Sequence, residues 1–141
     1  MWIYQNQPIE EIPQGIVGFV YIITNLITGK KYIGKKLFLH SKTTYKTIKL
    51  KNGSKKKKRI RSKVESNWVT YYGSSINLTA DIELLGKENF KREILHFCKS
   101  KASTTYLELR EQIDQRVLES DDYYNNQVQA RVHGSHIKNK I

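Results

Sequence analysis

Two tyrosines are spaced in a way that could place their phenols side by side. Tyr21 ends the run Gly-Phe-Val-Tyr at residues 18–21, and Tyr32 opens the run Tyr-Ile-Gly at residues 32–34. If the two runs form neighbouring antiparallel strands, the phenols lie close together and could handle a phosphate. Tyrosine is also a good strand former, so the pair alone fits a structural role equally well. Gly34 would permit close backbone approach, or it marks a bulge or strand end.

The element that must position these phenols is a β-hairpin. Residues 19–25 are rich in β-branched and aromatic side chains, and residues 30–34 return after a turn sequence. Strand alternation predicts one face with Phe19, Tyr21 and Ile23 and an opposite face with Val20 and Ile22.

Downstream of residue 70 the sequence predicts a helix, a strand and a second helix. Ser74 or Ser75 can cap a helix near residues 76–85, which Gly86 ends. Residues 89–98 predict a third strand. A capping box at Thr105 and Glu108 predicts a helix to about residue 119. Its expected core stripe is Tyr106, Leu109, Ile113 and Val117.

Two further segments lack a clear period. Residues 1–15 are polar with two prolines and are interpreted as an N-terminal arm, while a helix could begin somewhere in residues 55–70. The order of elements predicts an α+β fold, in which helices flank a three-stranded, mainly antiparallel sheet.

The charge of the chain is unevenly distributed. The net charge is +12, and fifteen of the 25 Lys and Arg residues lie in residues 12–64, which hold none of the 13 Asp and Glu residues. Clustered positive charge favours a polyanion such as nucleic acid, with binding that weakens steeply with salt. The densest part, residues 51–63, repels itself and predicts a mobile loop. A solubilising loop or a localisation-type signal are the alternatives.

Composition excludes several classes of protein. The single Cys98 cannot form an internal disulfide, and the four scattered histidines do not form a zinc motif. No apolar run approaches the ~20 residues of a membrane span, and the N-terminus lacks the features of a signal peptide. We therefore expect an intracellular protein that does not bind a membrane.

The hairpin motifs resemble those of the GIY-YIG nuclease family, with one extra residue between the first Gly and Tyr21. Three further segments are similar to the family in the same order: residues 71–95, the helix sequence at 106–115, and the Tyr-Asn within 121–125. The resemblance is to phage-encoded, Seg-type homing-endonuclease relatives. It implies a domain over residues 16–127, with a basic insertion at about 37–66 and a tail at 128–141.

The resemblance also implies roles for individual residues. The Tyr21 phenol would help activate the attacking water, although a phenol titrates near ~10 and is a weak base at neutral pH. Lys30 would favour its phenolate, or is only a solvated turn lysine. Tyr32 would position water or phosphate, and Asn125 would support the site by hydrogen bonding.

A glutamate on the second helix would hold a divalent cation, Mg²⁺ or alternatively Mn²⁺. Glu108 is the favoured ligand, and Glu111, one turn later, is the alternative. The family's catalytic arginine corresponds to Arg59 or Arg61, either of which could instead contact only the phosphate backbone. The predicted DNA-binding residues are Lys35, Lys36, Lys55, Lys56, Lys57, Lys58, Arg59 and Arg61, of which Lys35 and Lys36 could share the catalytic electrostatic work.

The function predicted by the resemblance is a Mg²⁺-dependent, phage-type, homing-endonuclease-like enzyme that hydrolyses phosphodiester bonds in DNA. The alternative is a catalytically inactive nucleic-acid-binding module of the same fold, and a basic protein-interaction domain has less support. One site cuts one strand, so the enzyme is expected to act as a monomer or as a DNA-dependent dimer.

Overall fold

The computed structural model describes all residues from 1 to 141. The strands are β1 (Trp2–Tyr4), β2 (Gln7–Ile9), β3 (Gly18–Asn25), β4 (Lys31–Leu37), β5 (Leu39–Lys49), β6 (Lys55–Glu65) and β7 (Phe90–Cys98). The helices are α1 (Ile76–Leu85) and α2 (Lys101–Asp114), and single 3₁₀ turns lie at Trp68–Thr70, Lys87–Asn89 and Gly134–His136. Neither α-helix combines the length and apolar character that crossing a bilayer requires.

Five strands form the main sheet, in the order β2-β1-β7-β3-β4. Every pair is antiparallel except β1 with β7. The expected α+β class is confirmed, with five strands instead of three. The extra strands come from the segment interpreted as an arm. Trp2 is 1% exposed and its indole N–H donates to the carbonyl of Trp68 at 2.6 Å, so burial of one large aromatic side chain holds this segment on the sheet.

The predicted alternation along β3 is confirmed. Phe19, Tyr21 and Ile23 are buried in the larger core, which α1 helps to cover. Val20 faces the opposite side, where it packs in a smaller core with Leu107 of α2. Each face of the sheet therefore has its own helix, and β4 is an edge strand that contacts α2.

The first helix follows the prediction and the second differs from it. The Ser75 hydroxyl accepts from the backbone N–H of Leu78 at 3.3 Å, and Gly86 ends α1 with φ of 90°. The predicted capping box at Thr105 is wrong, because α2 begins one turn earlier with a box between Ser100 and Ser103. Helix α2 also ends at Asp114 rather than near residue 119.

The inner side of α2 is more polar than the predicted stripe. Ser103, Thr104, Leu107 and Gln112 are its buried residues, whereas Ile113 is 57% exposed. The Thr104 hydroxyl donates to the carbonyl of Ser100 at 2.7 Å, so a small polar side chain can be buried there without an unsatisfied group.

The basic insertion forms a two-stranded antiparallel ribbon of β5 and β6, where a mobile loop and the start of a helix were expected. Asn52-Gly53 is a strong hairpin-turn sequence, and Gly53 has φ of 83°. The ribbon is anchored only at its base. There Phe38 is fully buried, and Ser66 bonds the carbonyls of Leu37 and Phe38 through its hydroxyl and its N–H. Most residues beyond the base are exposed on both faces.

Candidate active site

The two signature tyrosines lie on one face of the β3–β4 hairpin. Tyr21 pairs with Gly34, Tyr32 pairs with Ile23, and the two ring centroids are 6.2 Å apart. A Cβ at residue 34 would lie 2.5 Å from the phenol oxygen of Tyr21, closer than carbon and oxygen can approach. Gly34 therefore leaves the space that the Tyr21 phenol occupies.

The segment after the ribbon closes over the two phenols. Gly73, with φ of 88°, lies so near that a Cβ there would be 3.3 Å from the Tyr21 phenol oxygen. The Tyr32 hydroxyl lies 3.4 Å from the Ser74 hydroxyl. The Tyr71 ring meets the Tyr21 ring edge-on at a centroid distance of 6.1 Å. The phenols thus share a small, mostly enclosed polar environment.

This environment keeps both signature phenols protonated. Burial raises the pKa of Tyr21 well above the ordinary value near ~10, and the phenols of Tyr71 and Tyr32 raise it further. Burial also raises the pKa of Tyr32, against the opposing effect of its bond to Ser74. A neutral phenol is suited to orienting a water or phosphate by hydrogen bonding, and much less suited to removing a proton.

The outer edge of β4 is covered by a C-terminal strap (residues 122–125). The backbone N–H of Lys31 donates to the carbonyl of Asp122 at 2.9 Å, and the N–H of Tyr124 donates to the carbonyl of Lys31 at 2.7 Å. The Tyr124 hydroxyl in turn donates to Asp81 at 2.6 Å and accepts from the Asn25 amide at 3.0 Å. The strap is therefore tied to the sheet and to α1.

Two side-chain amides continue this coverage at the centre of the Tyr-Ile-Gly motif. Asn125 accepts from the Ile33 N–H at 3.0 Å and donates to the Ile33 carbonyl at 2.8 Å. Gln112 of α2 donates to the same carbonyl at 3.1 Å. At Ile33, next to Tyr32, the Asn125 side chain thus makes the two backbone hydrogen bonds that a neighbouring strand would make.

Lys35 is the next residue of β4 whose backbone N–H faces outward, and this N–H bonds Glu108. The charge and backbone N–H of Lys35 lower the pKa of Glu108, but burial has the larger effect, and the pKa of Glu108 is raised overall. The charge of Glu108 is the smallest of the contributions that raise the pKa values of Tyr21 and Tyr32. Glu108 and Tyr32 line the same cavity. Glu111 lies elsewhere, with a carboxylate oxygen 2.7 Å from Nε2 of His96.

Two lysines after the Tyr-Ile-Gly motif lie next to this cluster. The Lys35 ammonium donates to the Thr105 hydroxyl at 2.9 Å, and the Lys36 ammonium lies 4.1 Å from the centroid of the Tyr71 ring. Both line a cavity of about 330 Å³ together with Lys101. Positive charge therefore extends from the phenols toward the base of the ribbon.

The oxygen donors of the site face a larger cavity of about 470 Å³, lined in part by Tyr32, Ser74, Glu108 and Asn126. No cluster of three or more Asp, Glu, His or Cys residues could enclose a metal ion. Mg²⁺ is usually bound through one or two carboxylates, several waters and substrate phosphate, so a single carboxylate with neutral oxygen donors fits such an ion.

Three predicted catalytic residues lie outside the cluster. Lys30 precedes β4 and places its ammonium 4.8 Å from the ring centroid of Tyr124, in the strap. Arg61 and Arg59 lie on β6, opposite Thr43 and Tyr45. Because Leu39 and Glu65 form the base, the two arginines are roughly 13 and 20 Å along the ribbon. Lys55, Lys56, Lys57 and Lys58 lie farther out on the same strand.

Comparison with known families agrees with this geometry. The family model described as "Putative endonuclease segE, GIY-YIG domain" matches residues 2–128. The chain belongs to the SegE-type GIY-YIG family. The match includes Trp2, so the N-terminal hairpin is part of the matched domain.

A SegE-type relative of Enterobacteria phage T4, "Putative endonuclease segE", is 35% identical over 107 residues. The aligned region covers 76% of this chain and 39% of that protein, so the chain spans well under half of the relative's length. No solved structure matches the chain.

Sequence reasoning overlooked two residues of this SegE-type site. Gln112 lies one helical turn after Glu108, and that i,i+4 spacing was the available signal. Tyr71 belongs to a segment that resembles the family, but nothing in its own sequence context indicates that its ring lies against Tyr21.

Proposed function

We propose that this chain is a divalent-metal-dependent DNA endonuclease of the phage homing type, which hydrolyses phosphodiester bonds. The observation that carries the proposal is that Tyr32 and Glu108 line one cavity, with the Tyr21 ring centroid 6.2 Å from that of Tyr32. Membership of the GIY-YIG family supports nuclease chemistry, and a family of nucleases implies a DNA substrate.

Glu108 is the proposed metal ligand, in preference to Glu111. Glu108 lines the larger cavity together with Tyr32, whereas the Glu111 carboxylate is paired with His96. A divalent cation, Mg²⁺ or Mn²⁺, would supply charge neutralisation at the phosphate and a more acidic bound water.

The two phenols have an orienting role in this proposal. Tyr21, neutral and enclosed, holds the attacking water by a hydrogen bond, and Tyr32, which lines the larger cavity, contacts a phosphate oxygen. Asn125 holds the backbone of Ile33 and so fixes the direction of the neighbouring Tyr32 side chain.

Lysines replace the expected arginine in the electrostatic role. Lys35 and Lys36 lie next to the cluster and stabilise charge that develops on the phosphate. The DNA-binding surface of the ribbon includes Arg59 and Arg61, together with Lys55 to Lys58. Their distance from the phenols favours this role over a catalytic one.

A matched pair of variants tests this proposal. Incubation of the protein with supercoiled DNA and Mg²⁺ or Mn²⁺ should give nicked or linear product, and EDTA should abolish it. Glu108→Gln should reduce the rate by at least ~10²-fold, because the metal ligand is lost. Glu111→Gln, the same chemical change one turn away, should keep cleavage within about 3-fold.

The second candidate function is nucleic-acid binding without cleavage, which the extended basic ribbon favours. It predicts salt-sensitive DNA binding that needs no metal. Absence of cleavage on every DNA offered, including modified phage DNA, would contradict the endonuclease and leave this candidate. Full activity in Glu108→Gln with loss in Glu111→Gln would transfer the metal-ligand role to Glu111.

A further inference from the structure

The β5–β6 ribbon has two chemically different faces. Directly paired residues lie on the same side, so Lys55, Lys57, Arg59, Arg61 and Lys63 all project from one face, which we name the arginine face. Their partners on β5 include Tyr45 and hydroxyl-bearing residues. The opposite face, the isoleucine face, carries Ile48, Ile60 and Val64 among the lysines Lys42, Lys46, Lys56 and Lys58.

The ribbon buries almost nothing in this chain. Beyond its base, only Ile48 and Val64 are partly covered. A two-stranded hairpin without a packed face is marginal in water, and this one places like charges directly opposite each other at Lys46–Lys58 and Lys49–Lys55. A bound polyanion would relieve this repulsion, so the ribbon is arranged for a partner rather than for its own stability.

The dimensions of the ribbon fit duplex DNA. Each strand has 11 residues, which corresponds to a length of about 36 Å, close to one turn of B-DNA. The major groove, about 12 Å wide, admits a two-stranded β-ribbon, whereas the major groove of double-stranded RNA is too narrow for side chains to read. Arginine can bond the major-groove edge of guanine through two N–H groups, and hydroxyl groups bond phosphates.

We propose that the ribbon inserts into the major groove of duplex DNA through its arginine face, and that Arg59 and Arg61 contact base edges there. The inference deepens the proposed DNA endonuclease by giving the domain its own recognition element. The cavity lined by Lys35, Lys36 and His40 adjoins the base of the ribbon, so a DNA strand could extend from the groove contact toward Glu108.

Alternation along β6 offers a closely matched test. Lys57→Gln/Arg59→Gln removes two charges from the arginine face, and Lys56→Gln/Lys58→Gln removes two from the isoleucine face, one residue away. DNA affinity is measured by fluorescence anisotropy in EDTA between about 50 and 200 mM salt. Over this range the slope of log affinity against log salt concentration, the salt slope, reports the number of phosphate contacts. Circular dichroism verifies that both variants fold like the wild type.

The arginine-face variant should lose about 50-fold in affinity at 0.1 M salt, and its salt slope should decrease by about 1, because Arg59 loses a base-edge contact and Lys57 a phosphate contact. The isoleucine-face variant should lose less than about 5-fold. Equal losses in the two variants, or no loss in either, would overturn the proposal and leave a ribbon that acts as an unspecific polycation.

Two further comparisons test the groove itself. A major-groove ligand such as methyl green should displace the protein, and the minor-groove ligand netropsin should not. Duplex RNA of the same sequence should bind much more weakly than DNA; equal binding to RNA, or displacement by netropsin alone, overturns the proposal. These binding readouts do not depend on cleavage, so a protein that binds as expected but does not cut would contradict only the proposed nuclease activity.

Discussion

At the scale of single residues, Glu108 is costly to the fold. It is a partly buried carboxylate whose pKa is raised by burial, because desolvation opposes its charged form. Tyr21 is enclosed with its phenol protonated. Such perturbed groups are typical of functional sites.

Glu108 predicts a pH-dependent difference in stability. Its pKa is raised in the folded state relative to the ordinary value of about 4.3, so the folded protein binds the proton more tightly than the unfolded chain. Stability therefore falls as pH rises from about 4.3 through the raised pKa. Glu108→Gln should have a higher Tm than the wild type at neutral pH, and the difference should disappear at pH below about 4.

Thermal unfolding followed by circular dichroism across this pH range measures the effect. Glu111→Gln serves as the control and should not be stabilised, since it loses the pair with His96. Added Mg²⁺ should raise the Tm of the wild type and leave that of Glu108→Gln unchanged. A Tm difference that is the same at every pH would exclude the carboxylate as its cause.

At the scale of elements, the edge strand β4 is the part that most needs support. It carries Tyr32 and Gly34, and its outer side is covered by the strap and by Gln112. An uncovered edge would leave backbone groups of the Tyr-Ile-Gly motif unpaired and the strand free to slip. The first role of Asn125 is therefore to hold β4 in place.

Removing that asparagine should destabilise the fold. Asn125→Ala leaves the buried Ile33 N–H without its partner and should lower the free energy of unfolding by about 2–3 kcal/mol. Asn126→Ala changes an exposed neighbour and should stay within about 0.5 kcal/mol. Urea denaturation gives both values, and fast hydrogen exchange at the Ile33 amide should accompany the first. Equal stabilities of the two variants would contradict the role of Asn125 in holding Ile33.

The elements also show where sequence reasoning works. The β3–β4 hairpin, α1 and β7 were predictable, because alternation, a serine cap and a terminal glycine are local signals. The predicted mobile loop is wrong because the turn sequence Asn52-Gly53 and the Thr-rich β5 favour a hairpin despite the repulsion among the lysines. The start of α2 was missed because Ser100 caps the helix with another serine at the third position, where glutamate is the usual signal.

The positions of the candidate site residues could be predicted from the sequence only in part, for a different reason. Tyr21, Tyr32 and Gly34 are tied together by one short hairpin, so their proximity follows from local spacing. The approach of Glu108 depends on how α2 packs against β4, and the choice between Glu108 and Glu111 depends on His96. The position of Arg59 and Arg61 along the chain does not indicate whether they lie near the site or on a projecting ribbon.

At the scale of the whole molecule, the N-terminal hairpin and the signature tyrosine Tyr21 share one aromatic core. The Trp2 ring lies 5.1 Å from the Tyr21 ring and 4.7 Å from the Arg92 guanidinium. Arg92 in turn donates to the carbonyl of Tyr71 at 2.8 Å. The first strand thus supports Tyr21 directly and Tyr71 through one buried cation.

Truncating the tryptophan should therefore affect the whole domain. Trp2→Ala should lower the free energy of unfolding by about 3–5 kcal/mol, as expected for loss of a large buried aromatic side chain. Tyr45→Ala removes an aromatic that is 67% exposed on the ribbon and should cost less than about 0.5 kcal/mol. Chemical denaturation measures both. A small effect of Trp2→Ala would indicate that the N-terminal hairpin is dispensable for the core.

The strap that holds Ile33 is also synthesised much later than the strand that it supports. Asn125 is 92 residues later in the chain, so on the order of ten seconds of synthesis separates the Tyr-Ile-Gly strand from its fixing partner. The ribbon lies entirely within that interval, so all of its residues are synthesised before Asn125. The support of the Tyr-Ile-Gly strand is therefore among the last features that a growing chain can form.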